Sequence, residues 1–237
     1  IQGIREAERG LVYDEFTSKE HELLTGVVSR IDPRTGSATI KISSNAEFTE
    51  AILLPQEWIR GEELREGDRI KVYVVDVVNL EKRCSLKISR THKDLVKRLF
   101  ELEVPEIFDG TIEVKAISRE AGSRTKIAVF SKNPDVDPIG ACIGPKGSRI
   151  SAIVDELKGE KIDIVKWHED DAEFIKEALS PATAISVNIL DPLEKVCRVI
   201  VPDNQLSLAI GNRGQNAKLS AKLTGYKIDI RSESETD

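Results

Sequence analysis

The sequence predicts a multi-domain chain in which an all-β barrel is followed by two α+β modules of one design. Two observations support this fold class. Residues 23–89 carry short runs of alternating apolar and polar residues, which is the period of β-strands. Farther along, a phrase that begins with Ile143-Gly144 recurs as Ile210-Gly211, with the glycines 67 positions apart. Such a repeat indicates that one structural unit occurs twice.

The chain has 237 residues, enough for two or three small domains. It contains no methionine and starts at Ile1, so we expect a piece of a longer protein. Residues 1–22 have a helical period but are too few to fold alone. The predicted divisions are a connector helix from a missing N-terminal domain at 1–22, a barrel at 23–90, a first module at 91–166, a second module at 167–232 and a tail at 233–237.

The barrel is predicted from five strands, at Leu23–Ile31, Ala38–Ile42, Glu50–Leu54, Arg69–Val78 and Cys84–Ile88. Turn residues separate them, including Asn79 to Lys82 between the last two. Five short strands in about 70 residues favour a small closed barrel of the OB type, which often binds single strands by stacking bases on exposed aromatic side chains. The aromatic residues here are Phe48, Trp58 and Tyr73, and the last two fit a core as well as a platform.

The repeated phrase has the composition of a backbone cradle for a phosphate chain. Each copy holds two glycines three residues apart, and a basic residue, Lys146 or Arg213, stands between them. Glycine lacks a Cβ and accepts positive φ, so a ligand can lie directly against the turn. A predicted helix follows each turn, and its N-terminal N–H groups favour an anion.

Each repeat has the element order α-β-β-α-α-β, which resembles the type II KH module. A single Gly-x-x-Gly is weak evidence, but two copies with matching flanks favour KH over an ordinary helix turn. A P-loop is excluded because Pro145 stands where its second glycine is required. A dinucleotide-binding turn is not favoured, since the segment before it does not have the pattern of a buried strand. The predicted helices are 91–103, 139–143, 148–157, 171–179, 206–210 and 215–223, and the strands are 111–118, 125–130, 159–164, 185–190, 196–201 and 225–230.

Composition argues against membrane, metal and catalytic roles. No apolar run approaches the ~18 residues of a membrane span, and neither end of this sequence has the pattern expected of a signal peptide. Cys84, Cys142 and Cys197 lack metal-ligand spacing and are predicted to be reduced core residues. The insertion that contains Asp135 and Asp137 is interpreted as turn and N-cap chemistry. We therefore expect no enzyme activity, no cofactor and no metal.

The charge distribution matters more than the net charge of −6. Residues 195–231 carry seven basic and two acidic side chains, whereas residues 155–177 carry nine acidic and four basic ones. The acidity is thus concentrated near the junction of the repeats, and the glycine turns are expected in basic surroundings.

Several phrases give the chain a closer resemblance to one family. They include Val136-Asp137-Pro138-Ile139-Gly140, Leu206-Ser207-Leu208-Ala209-Ile210 and the shared Lys-Ile-Asp-Ile. Together with a barrel followed by two KH modules, they resemble the bacterial transcription factors of the NusA family.

We expect a cytoplasmic, monomeric protein. The resemblance implies that its KH modules hold single-stranded RNA on one rigid surface. It implies modulation of pausing, termination and antitermination through nascent RNA, with RNA polymerase and other termination or antitermination factors as partners. The RNA contacts that it implies are Ile143, Gly144, Pro145, Lys146, Gly147, Arg149, Ile210, Gly211, Asn212, Arg213, Gly214 and Gln215.

Two other functions remain open from the residues alone. The chain could be the RNA-binding accessory module of an RNA-processing complex, because such complexes also carry KH and OB modules. It could also be a protein-docking module with vestigial loops, and its affinity for a partner would then be insensitive to salt.

Overall fold

The computed structural model describes residues 19–43, 48–80 and 83–236. These residues belong to two compact units. The first unit comprises the chain up to Leu99 together with Glu156–Lys158, and the second comprises Phe100–Asp155 and Gly159–Asp237. Most of the predicted connector helix, at 1–22, lies outside the described residues, and residues 19–21 form a turn.

The first unit is a closed five-stranded barrel. Its strand order is β1-β2-β3-β5-β4, and β4 pairs with β1 to close it. Strands β3 and β5 run parallel, whereas the other neighbouring strands are antiparallel. The strands are β1 (Leu23–Ile31), β2 (Ala38–Ser43), β3 (Phe48–Leu53), β4 (Arg69–Leu80) and β5 (Arg83–Ser89). The predicted OB-type barrel is confirmed.

Alternating side chains of these strands fill the barrel with aliphatic groups, among them Ile40, Ile42, Val72 and Val74, each at most 1% exposed. Two details of the prediction were wrong. Leu54 does not continue β3, since Pro55 follows it and opens a short 3₁₀ turn without an N–H for the ladder. Asn79 and Leu80 extend β4 instead of forming a turn, and Leu80 pairs with Arg83.

The aromatic side chains of the barrel do not form an exposed platform where the structure describes them. Tyr73 is only 3% exposed, and Trp58 packs partly buried against the core while its indole N–H donates to the Leu53 carbonyl. The side chain of Phe48 lies outside the described part of the chain. Base stacking on the barrel therefore gains no support from Trp58 or Tyr73.

The second unit contains both repeats, and each has a three-stranded sheet covered by helices. Helix α1 (Lys93–Glu103) crosses the boundary between the units. The first sheet has the order β6-β7-β8, and β8 runs parallel to β7. The elements of the first repeat are α2 (Pro105–Phe108), β6 (Ile112–Glu120), β7 (Arg124–Ser131), α3 (Pro138–Ile143), α4 (Ser148–Glu156) and β8 (Lys161–Lys166).

The second repeat follows the same plan. Its sheet has the order β11-β10-β9, and β11 runs parallel to β10. Its elements are α5 (Asp171–Ala178), β9 (Ser186–Asp191), β10 (Val196–Val201), α6 (Leu206–Ile210), α7 (Gln215–Thr224) and β11 (Lys227–Ser232). The α+β KH architecture predicted for both repeats is confirmed.

Strands β8 and β11 begin two residues later than predicted. The N–H of Gly159 still bonds to the Val154 carbonyl, and the N–H of Gly225 still bonds to the Ala221 carbonyl. These bonds belong to the ends of α4 and α7, so extended structure starts only at Lys161 and Lys227.

The insertion and two of the cysteines are as the sequence predicted. Asp137 is the N-cap of α3, and its carboxylate accepts from the Ile139 N–H at 3.1 Å. Cys142 and Cys197 are free thiols with no exposed surface, and burial raises their pKa to about 12 and about 11. The side chain of Cys84 lies outside the described residues. Among the helices that the structure describes, none has the length and apolar character that a membrane crossing requires.

Candidate nucleic-acid interface

The two Gly-x-x-Gly turns have the same backbone conformation. We name Gly144–Gly147 the first loop and Gly211–Gly214 the second loop. Each opens on a glycine near φ 80° and ψ 172°, with φ 76° at Gly144 and 80° at Gly211. Lys146 and Arg213 then adopt left-handed values, at φ 55° and 56° with ψ 27° in both. The sequence repeat is therefore a repeat of three-dimensional structure.

The opening glycines leave no room for a side chain. A Cβ on Gly144 would lie 2.6 Å from Cγ of Arg149, and one on Gly211 would lie 2.7 Å from the backbone nitrogen of Asn216. Their φ and ψ values also fall in a region that only glycine adopts readily. The absence of a Cβ thus lets Arg149 and Asn216 pack directly against the loop backbone.

The basic residue of each loop is held outward by an unusual conformation. Left-handed values are uncommon for residues other than glycine and cost energy, so they point to a local function. Both Lys146 and Arg213 are exposed, and their immediate loop neighbours Pro145 and Asn212 are exposed too. Gly147 and Gly214 complete the loops and are half-buried. Each loop therefore presents one cation to solvent beside a helix N-terminus.

An exposed isoleucine precedes each loop. Ile143 is 39% exposed and Ile210 is 37% exposed, whereas the residues that precede them, Cys142 and Ala209, have no exposed surface. Strands β8 and β11 lie against these helices, and their residues Ile162, Ile164, Ile228 and Ile230 are only partly buried. An apolar groove beside a phosphate-binding loop is the arrangement in which KH modules bind bases.

Arg149 and Asn216 fix the loops from the following helix. The Arg149 guanidinium donates to the Ala141 carbonyl at 2.6 Å and pairs with Glu106 at 2.9 Å. In the second repeat, the Asn216 amide donates to the Ala209 carbonyl at 2.9 Å. Both side chains thus bond to the helix before their loop, and Arg149 would have to leave these partners to make the predicted RNA contact.

Gln215 also has partners within the chain. Its side-chain amide donates to Glu120 at 2.9 Å and to the Ser123 hydroxyl at 2.6 Å. Glu120 and Ser123 belong to the β6–β7 hairpin of the first repeat. Gln215 therefore connects the second loop to the first KH module.

A cavity of about 480 Å³ lies where the second loop meets the first module. The first module contributes Arg124 and Lys161, and the second contributes Gly211 and Asn212 together with Pro181. Lys161 is exposed, whereas Arg124 pairs with Asp163 at 2.7 Å. Strand β8 of the first module thus begins beside the second loop, and Lys161 places a positive charge there.

Glu160 positions the hairpin that forms one wall of this cavity. Its carboxylate is fully buried and accepts from the Gly122 N–H and the Thr125 hydroxyl, both at 2.7 Å, and from Arg119 at 3.1 Å. In the sequence, Glu160 belongs to the acidic stretch 155–177. Asp163, Asp170 and Asp171 of the same run also have internal partners.

Several residues that line or support the cavity were missed from the sequence, namely Ser123, Arg124, Glu160, Lys161 and Pro181. They lie in the β6–β7 hairpin, at the start of β8 or before β9, and all are far in sequence from the second loop. The repeat marked the two loops, but no local pattern showed that one module would lie against the loop of the other. Among the described residues, no three His, Cys, Asp or Glu side chains come together as a metal site would need.

Family models match most of the second unit. Residues 90–167 match the NusA-like first KH domain, and residues 171–237 match the NusA-like second KH domain. These ranges include both loops, the cavity residues and the sheets described above.

Curated relatives match almost the whole chain. The protein of Halalkalibacterium halodurans is 55% identical over 99% of this chain and 59% of its own length, and that of Bacillus subtilis is 53% identical over 99% and 61%. The protein of Mycobacterium tuberculosis is 45% identical over 98% and 67%. All three are named transcription termination/antitermination protein NusA. The chain spans about three fifths of the length of the first two relatives, at 59% and 61%. The chain therefore belongs to the NusA family.

Proposed function

We propose that this chain binds single-stranded RNA along its two KH modules and so modulates pausing, termination and antitermination by RNA polymerase. The observation that carries the proposal is the pair of loops with one backbone conformation, each with a bare glycine and an exposed cation. Such a loop clamps the backbone of about four nucleotides in a KH module. The names of the relatives support the role in transcription.

The proposed RNA contacts are the residues of both loops and the apolar groove beside each. Lys146, Arg213 and the loop N–H groups would bind phosphates, whereas Ile143 and Ile210 would contact bases. Arg149 and Gln215 would act chiefly by fixing the loops, given their internal partners. The cavity between the modules, with Lys161 and Arg124, would let one strand pass from one groove to the other.

The wider role belongs to the same proposal. RNA polymerase and other termination or antitermination factors would be its protein partners, in the cytoplasm, and the chain would act as a monomer without catalysis. An RNA-binding accessory role in an RNA-processing complex is the alternative. Incubation of the chain with end-labelled RNA and Mg²⁺ tests the absence of catalysis, since shortening of the RNA would contradict it.

Charge reversal in the loops tests the RNA site. We expect Lys146→Asp and Arg213→Asp each to weaken binding of a single-stranded RNA by about tenfold or more, because a hydrogen bond to a charged group contributes ~1.5–3 kcal/mol. Aspartate tolerates the left-handed conformation at both positions, so the fold should be retained. Fluorescence anisotropy with a labelled RNA measures the affinities.

Lys176→Asp is the matched control, since Lys176 is an exposed lysine on α5, outside both loops. Its affinity should stay within about twofold of the unaltered chain, as for a surface change away from the ligand. Native circular dichroism with unchanged RNA affinity in both loop variants would refute the proposed site.

A further inference from the structure

The two repeats contain one cross-strand ion pair at the same place, but in very different surroundings. Lys126 on β7 lies opposite Asp163 on β8, and Arg198 on β10 lies opposite Asp229 on β11. In the second repeat the pair is at the surface, with side chains 40% and 41% exposed. In the first repeat the Lys126 side chain has no exposed surface and Asp163 is 16% exposed.

The second module is what buries the first pair. The Lys126 ammonium donates to Asp163 at 3.0 Å and to the Ser180 carbonyl of the second module at 2.7 Å. One charged atom therefore bonds to both modules at once. Arg198, its counterpart, is bonded to Asp229 within its own module.

This link lies beside the cavity between the modules. Ser180 precedes Pro181, which lines the cavity, and Asp163 also accepts from another lining residue, Arg124, at 2.7 Å. A single carboxylate thus fixes both a cavity residue and the lysine that reaches the second module. A shift of the second module along the first would break the bond to Ser180.

Two other hydrogen-bonded links and apolar packing complete the contact between the modules. The Ser118 hydroxyl donates to the Leu219 carbonyl at 2.7 Å, and Gln215 bonds to the β6–β7 hairpin. The contact also includes a shared apolar cluster of Ala128, Val165, Phe174, Ala178 and Leu223. Apolar contacts tolerate small shifts, whereas a buried ammonium needs its acceptors at fixed positions because an unpaired buried charge is costly. Burying such a pair adds little to stability compared with apolar groups of the same size, so its use here calls for another explanation.

We propose that Lys126 is a positioning residue for RNA binding, holding the second KH module in the one alignment that lets a single strand occupy both grooves. This inference rests on the proposed RNA site. Two grooves held in register act as linked binding sites, so occupation of one raises the effective concentration of the strand at the other. Lys126 itself need not touch RNA.

The test compares RNAs of two lengths on Lys126→Met, whose side chain has a similar length but carries no charge. The short RNA has about four nucleotides and fills one groove, and the long RNA has about twelve and reaches both. We expect the affinity for the long RNA to fall by about tenfold or more, because the gain from linked sites is lost. The affinity for the short RNA should stay within about twofold. A loss of folding would lower this affinity too, so the short RNA is the control for folding.

Arg198→Met is the matched control, because it removes the equivalent pair where no other module covers it. Both of its RNA affinities should be unchanged. Lys126→Gln is a second variant, able to bond Asp163 but too short to reach Ser180 as well, and it should behave like Lys126→Met.

Each outcome decides the inference. An unchanged ratio of long-RNA to short-RNA affinity in Lys126→Met would overturn it. Equal affinities of the unaltered chain for the long and the short RNA would overturn it as well. Loss of the native circular dichroism in both Lys126 variants would also overturn it, because Lys126 would then be needed for folding. If the unaltered chain binds neither RNA, the proposed function itself fails.

Discussion

At the candidate nucleic-acid interface and the contact between the KH modules, single residues bond to partners that lie far away in sequence. Lys126 and Arg198 are basic residues at one register position, yet only Lys126 is buried between modules. Glu160 and Asp163 belong to a charged run, yet both have several internal bonds. The residue types could be read from the sequence, whereas their partners depend on packing between modules and could not.

The phenol of Tyr226 provides a pH-dependent contact within the second module. It donates to Asp171 at the start of α5, and this bond, with some burial, raises the pKa of Tyr226 to about 12. The folded pKa lies above the ordinary value of about 10, so the stabilisation is complete below pH 10 and is lost as pH rises through 12. We expect the free energy of unfolding to fall more steeply in this range for the unaltered chain than for Tyr226→Phe.

Denaturant unfolding at several alkaline pH values measures this effect, and the ultraviolet absorbance of tyrosinate follows the ionisation itself. The chain has three tyrosines, so the difference between the unaltered chain and Tyr226→Phe isolates Tyr226. Parallel stability curves for the two chains between pH 10 and 12 would contradict the assignment.

At the scale of elements, the loops were the most predictable part of the chain. Glycine spacing, a basic residue and a following helix marked them, and the structure has these features at both sites. Boundaries were less predictable, because the ends of α4 and α7 extend through glycines that the sequence pattern had assigned to strands. The short helix α2 was missed, since four residues are too few for a periodic signal.

The two glycines of the second loop should differ in their tolerance of a side chain. A Cβ at Gly211 meets the Asn216 nitrogen at 2.7 Å, whereas at Gly214 the nearest atom is Lys218 Cε at 3.7 Å. We expect Gly214→Ala to cost ~1–2 kcal/mol, the ordinary cost of a left-handed residue, and Gly211→Ala to cost more because backbone must also shift.

Urea unfolding of both variants provides the comparison, with the unaltered chain as reference. The order of the two stabilities is the decisive quantity. A Gly211→Ala chain as stable as the Gly214→Ala chain would show that the close approach at Gly211 is not required.

For the whole molecule, the fold class could be predicted because hydrophobic period and an internal repeat are properties of the sequence itself. The barrel and the two KH modules each followed from local patterns. The contact between the modules did not, because it joins residues such as Ser118 and Leu219, whose bond spans 101 positions. Local patterns therefore marked two separate loops, only the family resemblance implied one surface, and the cavity beside the second loop had no signal in the sequence.

The chain and the proposed RNA ligand are both negatively charged. The dependence of RNA affinity on salt therefore shows how many local cations contact phosphates. The chain carries a formal charge of −6, but interactions between exposed charges are screened beyond about 8–10 Å at physiological ionic strength. Contacts with phosphates release counterions, so log K for single strands falls by about 0.7 per contact for each unit of log salt. We expect a negative slope for RNA binding by the unaltered chain.

The double variant Lys146→Asp with Arg213→Asp should have a slope shallower by about 1.4, which corresponds to two lost contacts. Anisotropy titrations over a range of potassium chloride concentrations give both slopes. Equal slopes would mean that these two side chains do not contact phosphates, and a flat slope for the unaltered chain would favour protein docking instead.

Helix α7 and its twin α4 bury different positions. Leu219, Ser220 and Leu223 are buried on α7, and the helix packs against strands of both modules. On α4, Ala152 occupies the position that matches Leu219 and is exposed. After the ancestral duplication, selection on the second copy thus had to preserve the contacts of this helix with both modules. A polar substitution of Leu219 is accordingly expected to be tolerated less well than the same substitution of Ala152.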